Sequence, residues 1–527
     1  MTTTNVPATA VPGVTLDTAP APLAGRREWF ALAVLMLPVL LVSVDNTVLS
    51  FALPEISRYF ETSGTMLLWI VDSYPLVLAG LLVVMGSLGD RFGRRRLLMI
   101  GAAGFALFSV AAAFAPTAAF LLASRVGLGV FGAMLMPSTL SLIRNIFADR
   151  NQRRIAIAVW AAGFSSGAAL GPLLGGVLLE NFWWGSVFLL AVPVLVLMLV
   201  LTPILVPESK DPAPGRIDVV SIVLSIATML PIVYGIKNLA TEGPLLVSAT
   251  AAFIGLASGV AFVTRQLHRP DPMLDVRLFA VRAFSGAVLV NLLALFSLVG
   301  FLFFVSQHLQ LVLGLSPLDA GLVLLPGLLV TIVAGLAVVP VVRHLPPHAV
   351  VSVSLLFSAV AYAMIALLDD GGSAGLLMLA FVVLGLGVGA SETISNDLIL
   401  STVPAAKAGA ASAISETAYE VGSVLGTAVL GSILLATYQR NLVLPGGLTD
   451  AQVGSSTETL GGAVEVASQL SPAGASLLRG SAFHAFDSGV TITSGIAALL
   501  MVGASVLAAW SLRGSARTEQ VAPARSA

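Results

Sequence analysis

Apolar runs of about 20 residues recur along this chain from Trp29 to Leu512, and no other feature limits its fold so tightly. A helix rises about 1.5 Å per residue, so each run is long enough to cross a hydrocarbon layer of about 30 Å. Of the 527 residues 57% are apolar and 10% charged, and mean hydropathy is +0.98; soluble proteins carry about a quarter charged residues. No water-soluble fold hides that much apolar surface. The bilayer is the solvent for most of the chain, and the fold class is an all-α polytopic membrane protein.

Hydropathy places fourteen spans: near 29–52, 67–88, 97–115, 118–147, 155–179 and 187–206, then 217–236, 244–263, 283–311, 318–342, 349–367, 373–400, 409–437 and 485–512. The domain reading is a disordered cytoplasmic tail over 1–28 and a six-helix bundle over 29–206. A linker over 207–282 carries two extra spans, a second six-helix bundle covers 283–512, and a cytoplasmic tail covers 513–527. The two inserted spans are expected to carry almost no buried charge and to lie at the periphery. Residues 439–484 form a long outer connection, read as a solvated linker, with short amphipathic helices or a mobile hairpin as alternatives.

Basic residues set the direction, because cytoplasmic loops retain Lys and Arg. With the N-terminus inside, 21 of the 26 Lys and Arg fall on the cytoplasmic side; Arg58, Lys237, Arg440 and Arg479 fall outside, and Arg125 lies within the membrane. Both termini are therefore expected in the cytoplasm. A net charge of −1 gives no sign of a nucleic-acid partner. The absence of cysteine removes disulfides, thiolate metal sites and cysteine nucleophiles. There is no G-x-x-x-x-G-K-(S/T) phosphate loop, and the five histidines are scattered, so neither ATP nor a metal or other cofactor is expected.

Between the second and third spans stand Gly86, Gly89, Asp90, Arg91, Gly93, Arg94, Arg95 and Arg96. Orientation alone accounts for the arginines, but not for Asp90 or for glycines that suit a tight turn at a helix end. In the fifth span Gly163, Gly167, Gly171, Pro172, Gly175 and Gly176 let helices approach closely, and the proline interrupts a backbone hydrogen bond. Arg125 lies deep in the fourth span, where an unpaired charge costs at least about 2.5 kcal/mol, so it needs a partner. Asp45 lies about 24 Å along the first span from Trp29. In the thirteenth span Glu416 and Glu420 share one helical face, about 6 Å apart. Two like charges so close in a low dielectric do not both ionise cheaply, so one is expected to hold a proton until a cation displaces it. Pairing with Arg125, or capping of a broken helix, is the structural alternative. For Glu392 and Asp397 in the twelfth span an interfacial role competes with a functional one.

These motifs resemble the major facilitator superfamily over Arg26 to Leu512. The loop is similar to its signature G-x-L-(A/G)-D-R-x-G-R-(R/K)-(R/K), which implies that Asp90 and Arg91, assisted by Arg94, lock the two halves together in the outward-open state. A weaker second copy of that loop near 339–344 keeps only Arg343. The string Gly167, Gly171, Pro172, Gly175 and Gly176 resembles the antiporter signature of the drug-exporting members. Arg125 and Gly129 match R-x-x-Q-G, implicated there in proton transfer, with Leu128 at the position of the Gln. Asp45, Thr47, Ala52, Leu53 and Pro54 resemble the D-x-T-x-x-x-x-A-L-P pattern of the fourteen-helix drug:proton antiporter branch. Trp69, Asp72, Tyr74 and Leu76 resemble the start of its second span.

The resemblance implies a major facilitator fold, two six-helix bundles plus two inserted helices, acting as a monomer in a bacterial plasma membrane. Asp45, Asp72, Arg125, Glu416 and Glu420 become the implied substrate- or proton-binding residues, lipophilic and mainly cationic drugs or dyes the cargo, and the proton the coupling ion. The alternatives are an exporter dedicated to one antibiotic or lipid-like metabolite, and a membrane sensor without transport. Nothing supplies an enzyme's nucleophile or electrophile.

Overall fold

The computed structural model describes residues 23–210, 218–240, 244–269, 272, 274–367, 372–403 and 408–513. The tails over 1–22 and 514–527, with Arg216, Lys407, Arg517 and Arg525, lie outside them. The first half comprises α1 (Arg26–Phe60), α2 (Gly64–Phe92), α3 (Arg94–Ala113), α4 (Ala118–Ile146), α5 (Arg150–Asn181) and a sixth span built from α6 (Ser186–Leu189) and α7 (Ala191–Leu205). The insertion contributes α8 (Val219–Ala240) and α9 (Leu245–His268). In the second half α10 (Arg282–Gln307) continues through a π-helical turn at His308–Val312, followed by α11 (Pro317–Val342), α12 (Pro347–Ala366) and α13 (Ala374–Ser401). Next come α14 (Ala408–Leu425), a π-helical stretch at Gly426–Gly431, α15 (Ser432–Asn441), the short α16 (Asp450–Glu458) and α17 (Leu460–Ser468), and the long α18 (Pro472–Ser511).

The chain marks many helix starts with hydroxyl caps. Ser63 accepts from the Met66 N–H at 3.2 Å and Thr117 from the Phe120 N–H at 3.2 Å. Ser316 accepts from the Asp319 N–H at 3.1 Å, with Pro317 placed where its missing N–H is harmless. Among the described residues there is no strand, and thirteen helices are long and apolar enough to cross a membrane. The 32-residue α5, packed along α1 and α11, fills the remaining place in a fourteen-span bundle.

Within the first half α4 lies against α2 and α3, and α5 against α1; within the second, α13 sits among α10, α11 and α12, and α18 lies along α12 and α15. The halves meet along α5–α11 and α2–α14, with α1 against α10. Close approach in the α5 seam depends on missing side chains. A Cβ on Gly171 would run into the Thr47 side chain, and one on Gly176 would stand 2.8 Å from the Pro317 carbonyl oxygen of α11.

The inserted pair is peripheral, with 17% of its span residues buried against 83% in α10. Asp218 ties the pair together where α8 begins: its carboxylate accepts from the Ser221 N–H and from Arg265 at 2.9 Å, and pairs with Arg269 at 2.6 Å. Burial opposes its ionisation, but the hydrogen bonds from Arg265 and Ser221 win and hold the carboxyl below the usual carboxylate range.

Two expectations are corrected here. Residues 439–484 are not a solvated linker: α16 and α17 fold as a hairpin, and the last helix starts at Pro472, 13 residues before the expected Ala485. Small and polar residues hide that first stretch from hydropathy, while Leu478, buried with Val466 and Ala467, supplies the apolar contact that folds it. Nor is the insertion free of buried charge, because Lys237 is 1% exposed instead of lying in a loop.

Candidate functional site

A cavity of about 260 Å³ lies between the halves, lined by residues of α2, α4, α5, α13 and α14 on the side where Arg91, Arg94 and Arg144 lie. Its two walls differ in chemistry. The first half supplies Leu78, Leu82, Met136, Leu140, Ile157 and Trp160, whose indole N–H is satisfied by Thr139 Oγ1 at 3.1 Å, leaving the ring as apolar wall. The second half supplies Glu392, Asn396, Ser412, Ser415, Glu416, Tyr419 and Glu420. Helical spacing puts Glu416 and Glu420 on the same face of α14, where they lie in each other's field, and Arg144 of α4 faces Glu416. Across from them Tyr419 donates to Glu392 Oε1 at 2.6 Å. Ser415 donates to Asn396 Oδ1 at 2.6 Å and accepts from Asn291 Nδ2 at 2.8 Å, which stiffens the polar wall. The cavity thus sets three carboxyl groups and one arginine beside an apolar, aromatic face.

Asp45 does not line this cavity. Its Oδ2 is 2.6 Å from Arg125 Nη1, and Arg125 also donates to the Ile70 carbonyl at 3.2 Å and lies 4.6 Å from the centre of the Tyr74 ring. Arg125 therefore takes its partner from the first half instead of from Glu416 or Glu420. Asp45 remains adjacent to the site, since Asn46 hydrogen-bonds Glu420 and Asp45 lies within that carboxyl's field. Asp72 is also outside the cavity: it is fully buried, with its Oδ2 2.8 Å from Lys237 Nζ. Asp397 is exposed and does not line the cavity either.

At the arginine-rich end Asp90 pairs with Arg94 at 2.7 Å, and Arg91 is exposed beside Phe92. Glu208, just beyond α7, accepts from the Arg95 N–H at 3.0 Å, and the Arg94 N–H donates to the Ser209 carbonyl at 2.9 Å. Among the described residues the hydrogen-bond and ion-pair partners of this loop lie in the first half or its trailing segment, so there Asp90, Arg91 and Arg94 do not bridge the halves in this conformation. Gly93 makes the corner with φ +113°, and a Cβ there would stand 2.8 Å from the Glu208 carboxyl. Gly93→Ala is expected to lose about 1–3 kcal/mol of folded stability, read as a drop in the detergent-solubilised unfolding midpoint. An unchanged midpoint would show that the turn carries no strain.

The opposite end is sealed. Ser306 donates to the Ser50 carbonyl at 2.9 Å, Gln310 Nε2 to the Phe51 carbonyl at 3.2 Å, and Ser57 and Thr459 share a hydrogen bond at 3.0 Å. The cavity is thus built toward the arginine-rich end and closed at the other.

The profile of the Major Facilitator Superfamily matches residues 35–427. The chain is 57% identical over 481 residues to the multidrug efflux pump LfrA of Mycolicibacterium smegmatis, covering 91% of this chain and 95% of that one. It is 37% identical to the methyl viologen resistance protein SmvA of Salmonella typhimurium, covering 87% and 93%. Among solved structures, a bacterial homologue of the human lysosomal transporter Spinster, inward-facing and unoccupied, matches with a TM-score of 0.64 at 17% identity over 93% of this chain and 98% of that one. With the helical bundle, the two packed halves and the cavity between them, these likenesses show that the chain is a multi-pass membrane transporter, not an enzyme, and belongs to the Major Facilitator Superfamily.

Proposed function

We propose that the protein exports lipophilic, mainly cationic drugs or dyes in exchange for protons. The observation that carries this reading is the two-faced cavity, with Glu392, Glu416 and Glu420 on one wall and Trp160 with aliphatic side chains on the other. Efflux and resistance among the relatives support it. Taking the arginine-rich end as cytoplasmic, a cation enters from the cytoplasm or inner leaflet, sheds water against the apolar wall and meets carboxylates whose charge it neutralises. An unscreened carboxylate in this setting is expensive, so cation or proton occupies it. Closure of the cytoplasmic end and opening of the other then exposes the cation outside, where protons replace it and reset the carrier. The close seams α5–α11 and α2–α14 are the surfaces along which the halves rock. On this reading the chain works as a monomer in a bacterial plasma membrane with both termini cytoplasmic.

The test is ethidium movement in proteoliposomes under an imposed pH gradient. Transport is expected to rise about tenfold with the gradient and fall back when an ionophore collapses it. A rate indifferent to the gradient would sink proton exchange.

A further inference from the structure

We infer that the inserted helix α8 is a latch across the far-end seam of the two halves, and that Lys237 is the residue through which a proton reaching Asp72 draws it. The inference rests on the proton-exchange reading above and assigns a coupling role to the insertion.

Four observations meet at one place. First, Lys237 Nζ lies 2.8 Å from Asp72 Oδ2, with the side chains 1% and 0% exposed. Second, Lys237 Nζ stands 4.0 Å from the centre of the Trp69 ring, so α2 holds the ammonium by a carboxylate and an aromatic face one helical turn apart. Third, α8 touches both halves here: Val233 packs in one cluster with Leu76 of α2, Val424 of α14 and Ala428 of the π-helical stretch. Fourth, Thr427 from the second half stands beside the Asp72 carboxylate. The charged groups facing Asp72 are Lys237 from α8 and, further off, Arg125 from α4. The pair thus sits where α2 and the α14–α15 span must part if the sealed end is to open.

The chemistry follows from burial. While Asp72 is ionised, its bond to Lys237 holds α8 on α2, and the apolar cluster holds α8 on the second half. A proton arriving from the far side binds the Asp72 carboxylate; Lys237 keeps its own proton and loses its counter-charge. A buried ammonium that has lost the opposing charge of Asp72 is less well held in an apolar interior, but Lys237 lies in the last turn of α8, and its long side chain can swing to the membrane surface. α8 then loosens, and the seam beneath it is free to separate. A passive ion pair behaves differently: removing both charges together restores function, because neutral replacements of a buried pair are often tolerated.

The natural chain has no cysteine, so Leu68→Cys provides a single thiol on α2 in the sealed end, 2% exposed in this state. Because a maleimide attacks the thiolate, whose fraction falls with pH, the readout is the labelling rate of Leu68→Cys divided by that of an exposed control, Val443→Cys, at the same pH; with an impermeant maleimide on cells this ratio should rise about fivefold as outer pH falls from about 8 to about 6. In the Asp72→Asn/Lys237→Met background that ratio should be high at both pH values, and Lys237→Arg should keep its pH response. A double variant that retains the parental response, or a parent that shows none, overturns the latch. A second arm needs no charge removal: Val233→Cys with Leu76→Cys, oxidised to join α8 to α2 at the contact that the proton releases, should slow ethidium transport at least about tenfold and reversibly on reduction. Transport at the parental rate in the joined protein also overturns the proposal. In either failure, gradient-driven ethidium movement by the wild type leaves the exchange reading standing, and its loss removes both.

Discussion

Glu416→Gln/Glu420→Gln should yield a folded, membrane-inserted protein in which gradient-driven ethidium transport is about 100-fold slower than in the wild type. Glutamine keeps the shape and a hydrogen-bonding group, so the Asn46 contact to position 420 has a replacement and the wall around Ser415 and Asn396 is untouched. What disappears is the charge that offsets the desolvation of the cargo. A charge-assisted contact in a dry site contributes about 1.5–3 kcal/mol, so each carboxylate accounts for at least about a tenfold change. Glu420→Gln alone should therefore slow a monovalent dye about tenfold and a divalent one more. Equal loss for cationic and neutral lipophiles would point to damaged packing, and rates above about a third of wild type in the double variant would remove these residues from the exchange.

The second large effect concerns the pair behind the cavity. Arg125→Met strands the Asp45 carboxylate at 8% exposure, and Asp45→Asn strands an arginine at 1% exposure. Breaking a buried pair by removing one partner costs about 3–5 kcal/mol, a large share of the 5–15 kcal/mol that holds a typical domain together. Both single variants should accumulate poorly and unfold early in detergent. Asp45→Asn/Arg125→Met should recover most of the folded yield, because no ion is then left unmatched. Size-exclusion yield and thermal midpoints measure this directly; single variants as stable as the parent would mean that water or lipid headgroups reach the site and that the pair is not a buried unit.

Much of the architecture was legible because hydropathy is a local property. Spans, the insertion and the two halves follow from where apolar runs begin and end, and Glu416 with Glu420 follow from helical spacing alone. Pairings between distant segments do not. Asp45 and Arg125 are 80 residues apart, and nothing near either shows that Asp45, not a glutamate of the second half, is the partner. Lys237 is hidden from sequence for a similar reason: its apolar run stops at Ile236, which puts the lysine in an outer loop, while the carboxylate and indole that draw it inward belong to α2. Glu392 and Trp160 carry no motif. Only the assembled cavity shows that α13 and α5 turn them toward one volume.

Three hydrogen bonds that cross the far end, apart from the α8 latch, join neutral groups: two side chains donate to main-chain carbonyls, and two hydroxyls pair. Such bonds contribute about 1 kcal/mol each, so the three together hold about 3 kcal/mol. A difference of one pH unit across the membrane is worth about 1.4 kcal/mol per proton. Those three bonds are therefore about as strong as two protons can force, which suits a machine that has to be driven by the gradients a living cell maintains.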